Sequence, residues 1–100
     1  MEIKINKLPD KTYVTLNGRI DSTNADQFQN DIFALLEGDC KFVDIDCSEM
    51  SYTSSQGLRV FLLLQKSLIE RHGNLVMRNM NPHVKEVFDI TGFSNIITIL

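Results

Sequence analysis

The run Ser51-Tyr52-Thr53-Ser54-Ser55-Gln56-Gly57 puts hydroxyl side chains directly ahead of a helix-forming stretch, and such a run can do two kinds of chemistry. The simpler is capping: the Oγ of Ser54 or Ser55 can accept from a free backbone N–H two or three residues further on. The other is modification. A hydroxyl at a helix N-terminus is a favourable place for a phosphate, because unpaired N–H groups and the positive end of the helix dipole stabilise the added charge. The fold would tolerate that charge. A partner packing an apolar or acidic surface there would not, since the phosphate would have to be desolvated or would repel. The run therefore predicts a partner-binding surface around Ser54 and Ser55 that one modification can switch off.

Other chemistry finds less support. Asp21, Asp44 and Asp46 are candidates for acid–base work or for a metal site, but strand alternation predicts only that Asp44 and Asp46 share a face, with no fourth ligand in view. His72 and His83 have no serine and acid set around a nucleophile elbow, and they read as solvated surface residues. No Gly-x-x-x-x-Gly-Lys-Ser/Thr or Gly-x-Gly-x-x-Gly loop is present, so nucleotide binding has no motif behind it. The expectation is a protein that is not an enzyme, with no cofactor and no metal.

Composition narrows the partner. With 100 residues and 43% apolar content the chain can build one core and one domain, spanning residues 1–100. A net charge of −3 and a pI near 5.2 argue against nucleic acid or an anionic membrane surface, both of which need clustered Lys and Arg. Cys40 and Cys47 fit neither a redox pair nor a zinc site and are expected to be reduced and structural. The N-terminal MEIKINKLPDK alternates instead of forming an apolar run, and no segment approaches the roughly 20 apolar residues of a membrane span. A cytoplasmic protein is expected.

The elements that must position the serines follow from periodicity. Ile3 and Ile5 alternate with polar residues, Pro9-Asp10-Lys11 breaks the pattern, and Tyr13 to Leu16 resumes it, which predicts a hairpin. After Gly18, Asp21 to Asn24 supply caps for a first helix with Ala25, Phe28, Ile32, Leu35 and Leu36 on one face, ending at Gly38. Phe42 to Asp46 reads as a strand covered on both faces, with a loop from Cys47 to Ser55. A largely buried second helix runs from Ser55 to Arg71 and stops at His72-Gly73. Leu75 to Met77 form a strand, and Pro82 opens a third helix closed by Thr91-Gly92. Ile96 to Ile99 form the last strand. The order β-β-α-β-α-β-α-β implies an α/β fold: a mixed, mostly parallel sheet with helices packed on it and the first strand antiparallel at an edge.

The segment Asp46-Cys47-Ser48-Glu49-Met50-Ser51-Tyr52-Thr53-Ser54-Ser55-Gln56-Gly57-Leu58-Arg59-Val60 resembles the signature of the sulfate transporter and anti-sigma factor antagonist (STAS) domain, in which a strand ending in Asp-x-Ser precedes a Ser-rich turn and Gly-Leu. Gly18-Arg19-Ile20-Asp21 is similar to that family's Gly-x-hydrophobic-Asp. Phe88-Asp89-Ile90-Thr91-Gly92 is similar to its final helix and turn. The resemblance spans nearly the whole chain and implies a stand-alone anti-sigma factor antagonist of a bacterial partner-switching system. Its implied partners are a serine kinase that doubles as the anti-sigma factor and a PP2C-type serine phosphatase that resets the switch.

Alignment on Gly57-Leu58 puts the family's acceptor serine at Ser55, with Ser54 as the alternative. Ser54 stands where the family has an aspartate. The resemblance and the capping geometry together imply a partner surface made by Asp21, Asn24, Thr53, Ser54, Ser55, Gln56, Gly57, Leu58 and Arg59. The competing expectation is a STAS domain that binds a protein or senses a ligand constitutively, with the serines serving only as a cap.

Overall fold

The alternation at Ile3 and Ile5 sets them opposite Leu16 and Val14 across an antiparallel pair formed by β1 (Glu2–Lys7) and β2 (Thr12–Ile20). A turn closed by Leu8 N–H donating to the Lys11 carbonyl at 3.0 Å joins them. The computed structural model describes residues 1–100 and continues with α1 (Ala25–Phe33), β3 (Phe42–Thr53), α2 (Ser55–Glu70), β4 (Asn74–Arg78), α3 (Pro82–Ile90) and β5 (Thr98–Ile99). One-turn 3-10 helices follow α1 at Ala34–Glu37 and α3 at Phe93–Asn95. No helix is long and apolar enough to cross a membrane.

The strands lie in chain order, β1-β2-β3-β4-β5, with every pair after the first parallel. The three crossovers between parallel strands all step in one direction, and with the right hand such connections adopt their helices fall on one face of the sheet. Val14, Leu16, Val43, Ile45, Leu75 and Met77 accordingly join Phe28, Phe61, Leu64 and Phe88 in one core. The Phe28 and Phe61 rings meet at 5.3 Å and the Phe61 and Phe88 rings at 5.9 Å. Each of these phenylalanines is 0–1% exposed, and such burial contributes about 2–3 kcal/mol per ring.

This one-sided arrangement corrects the expectation that β3 is covered on both faces. Asp44 and Asp46 alternate with the core residues Val43, Ile45 and Cys47 and belong to the helix-free face. The Asp44 carboxylate is nearly enclosed there, and Arg78 from β4 donates to it twice, at 2.8 and 2.6 Å, as a planar guanidinium can.

Two boundaries also differ. The segment from Cys47 to Thr53 is not a loop but the second half of β3, so Asp46-Cys47-Ser48 does not end the strand. It pairs with β2 alone, through register shifts between Thr15 and Asn17 and between Gly18 and Arg19. The last strand is confined to Thr98 and Ile99, because Ile96 and Ile97 donate to the Phe93 carbonyl and belong to the preceding turn. The second helix does stop at His72-Gly73, with Arg71 as its C-cap and His72 as the left-handed residue, at φ 64°. Gly73 is required for another reason: a Cβ there would sit 1.7 Å from the Lys41 carbonyl oxygen.

Candidate partner-binding site

The parallel pairing of β2 and β3 ends at Ile20 opposite Thr53, so the chain leaves both strands at one place on the molecule. Ser54 N–H donates to the Ile20 carbonyl at 2.8 Å and fastens the two exits together. Ser54 has extended backbone angles, and its Oγ accepts from Gly57 N–H at 3.3 Å, which makes it the N-cap of α2. Of the two candidate caps, Ser54 holds the position and its hydroxyl is engaged. Ser55, the first residue of the helix, is exposed, and its hydroxyl makes a single 3.4 Å contact with the Gln56 side chain.

Gly57 fixes how closely α2 approaches the sheet. A Cβ on it would lie 2.3 Å from Thr53 Oγ1 and 2.9 Å from Ile20 Cγ2. Thr53, Gly57 and Leu58 are all buried, which corrects their expected place on the partner surface. They face inward and set the pose of the turn. Ser55, Gln56 and Arg59 are exposed, and Asp21, Asn24 and Ser54 are half-buried at the rim.

The rim is built by side-chain hydrogen bonds. Asp21 Oδ1 accepts from Thr23 N–H at 2.9 Å and from its hydroxyl at 2.5 Å, while Oδ2 accepts from Arg19 Nε at 3.1 Å. The Thr23 hydroxyl and N–H, with the Arg19 charge behind them, hold the Asp21 carboxyl below its ordinary pKa. Asn24 occupies the N-cap position of α1, yet its side chain turns away from the helix. Its Oδ1 accepts from Asp21 N–H at 2.8 Å and its Nδ2 donates to the Arg19 carbonyl at 2.9 Å. Asp21 and Asn24 therefore order the loop beside the serines, and the side-chain cap expected from one of them on α1 is absent.

Two rim residues were not singled out from the sequence. The Arg19 guanidinium lies over the Tyr52 ring, 4.8 Å from its centroid, and both side chains are exposed. The signal was present in the spacing of Arg19 before Asp21, but the Arg19–Tyr52 pairing depends on a β-bulge that alternation does not reveal.

The remaining chemistry-bearing residues are dispersed. Asp46 accepts from Ser48 N–H at 2.9 Å and from Asn79 at 3.2 Å, contacts that lower its pKa. Asp44 is committed to Arg78, with Lys11 at 3.8 Å. No His, Cys, Asp and Glu side chains group in a way that could hold a metal ion. His72 lies just beyond α2, at the opposite end of that helix from the serine turn, and His83 lies in the first turn of α3. Both cysteines are free; burial, reinforced by the Asp46 charge, pushes the Cys47 thiol up to about 12, so it is a poor nucleophile.

This fold and this turn define a known class: the chain belongs to the STAS domain family, which matches residues 2–100. It is 35% identical over 99 residues to BtrV of Bordetella bronchiseptica, assigned as an anti-sigma factor antagonist, covering 99% of this chain and 85% of that protein. The anti-sigma-B factor antagonist of Listeria monocytogenes is 34% identical over 92 residues, covering 90% of this chain and 79% of its own. The fold is that of the anti-sigma factor antagonist SpoIIAA. In its unphosphorylated form the TM-score is 0.83 at 19% identity, over 99% of this chain and 88% of that one. In its phosphorylated form, from Bacillus, the TM-score is 0.76 at 17% identity, over 99% and 91%.

Proposed function

We propose that this protein is an anti-sigma factor antagonist, a binding protein and not an enzyme, that captures a serine kinase acting as anti-sigma factor and is released when that kinase phosphorylates Ser55. The observation that carries the reading is the division of labour between the two serines: Ser54 spends its hydroxyl on the helix cap, while Ser55 presents its own to solvent one residue later. The names of the BtrV and Listeria relatives support the antagonist role, and the existence of a phosphorylated SpoIIAA supports the switch.

In the unphosphorylated state the partner covers Ser55, Gln56 and Arg59 together with the rim at Asp21 and Asn24. Phosphate at Ser55 sits among the first-turn N–H groups, so the helix accepts it, but it projects a charge of about −2 into the interface. The partner leaves and the fold stays. A PP2C-type phosphatase resets the surface by hydrolysing the exposed ester.

The test is incubation with the cognate kinase and ATP, followed by peptide mapping. One phosphate is expected on Ser55 and none on the Ser55→Ala variant. Phosphate on Ser54, or on neither serine, defeats the assignment. A Ser55→Ala variant that still cycles on and off its partner in cells would instead establish a constitutive binder.

A further inference from the structure

Arg59 is placed against the ordinary preference of a helix. It lies in the second turn of α2, in the N-terminal half where a cation gains nothing from the helix dipole. The first turn contains no acidic residue that would offset it. Its neighbours at three and four residues are Ser55, Gln56, Leu62 and Leu63, none of them charged. Arg59 is exposed and makes no ion pair or side-chain hydrogen bond. The other arginine of this region, Arg19, is already committed to Asp21 and to the face of Tyr52.

The residue one turn ahead of Arg59 on the same face is Ser55, in the i,i+4 spacing that brings side chains together. The order also matters, since an anion N-terminal to a cation at i,i+4 is the favourable arrangement. A phosphate has three acceptor oxygens and a guanidinium a planar fork of donors, so the two can pair bidentately. Resting on the reading of Ser55 as the acceptor, we propose that Arg59 is an internal clamp for the Ser55 phosphate, pairing with it across one helical turn. The modification then changes the surface twice: it adds a dianion at position 55 and withdraws the unpaired cation at position 59. It also gives the ester a bound neighbour that a phosphatase must displace, which slows the reset.

The test installs phosphoserine at position 55 during synthesis of the full-length protein, with no kinase involved, and follows its second ionisation by phosphorus NMR. Beside Arg59 the titration midpoint is expected roughly a few tenths of a pH unit lower than in Arg59→Gln, as befits an exposed i,i+4 pair. Arg59→Lys should recover part of the shift, because a single ammonium keeps the charge but not the fork. Dephosphorylation by a generic PP2C-type phosphatase should be faster in Arg59→Gln. Equal midpoints in the parent and Arg59→Gln overturn the clamp. A kinase that fails to modify Ser55 overturns the reading of the switch and leaves this titration unaffected, so the two failures are distinguishable.

Discussion

The starts of α1 and α2 lie side by side at one end of the sheet, yet they are held in different ways. The chain enters α1 through a mesh of side-chain hydrogen bonds among Arg19, Asp21, Thr23 and Asn24. It enters α2 through one hydroxyl and one glycine, Ser54 on Gly57 N–H and Gly57 against Ile20 and Thr53. A mesh uses up polar groups, whereas a shape contact leaves them free. The α2 turn can therefore keep the Ser55 hydroxyl exposed without losing its pose, while the α1 turn supplies a rigid border.

The most forceful way to break this contrast is Gly57→Ala. In an ordinary helix that change stabilises by about 1 kcal/mol. Here the added methyl collides with Thr53 Oγ1 and Ile20, so a net loss of about 2 kcal/mol is expected, with a lower urea midpoint and an unchanged m value. A Gly57→Ala protein more stable than the parent would show that shape does not hold this turn. Next comes Asn24→Ala, which removes two hydrogen bonds from the mesh and should cost about 1–2 kcal/mol by the same measurement.

Ser54→Ala should cost less, about 0.5–1 kcal/mol, because its cap bond is long at 3.3 Å, and Ser54→Asp should restore the loss. The smallest effect separates the two turns by pH. The Asp21 carboxyl has a lowered pKa in the folded protein, so its contribution is complete above the unfolded value of about 3.9 and is lost as pH falls through the lower folded value. Acidification below about pH 4 should therefore shift the Thr23 amide resonance in NMR, while the Gly57 amide, held by a neutral hydroxyl, stays in place. Parallel movement of both would mean the two turns are one unit.

The same contrast separates what was readable in the sequence from what was not. The helices were legible because Phe28 and Ile32, or Phe61, Leu64 and Leu68, recur at the period of a single helix. The β2–β3 pairing was not, because it breaks its own period. From Asp46 to Glu49, β3 advances three residues while β2 advances two, and another extra residue enters β3 between Met50 and Tyr52. Buried residues then fall at Cys47, Met50 and Thr53, an interval of three that reads as a loop. At the site, residue type predicts a serine cap at Ser54 or Ser55 without choosing between them, and the choice of Ser55 as acceptor comes from the family resemblance. The inward orientation of Thr53, Gly57 and Leu58 and the stacking of Arg19 on Tyr52 came from that hidden register.

The sequential order of the strands bears on how the molecule assembles. Each strand pairs only with strands adjacent to it in the chain, so every loop closed during folding spans a single hairpin or a single crossover. A chain emerging from the ribosome can add one βα unit at a time to a partner strand already present, starting from the β1–β2 hairpin. No strand has to wait for a distant segment before it finds its neighbour, which keeps the contact order as low as a mostly parallel sheet allows.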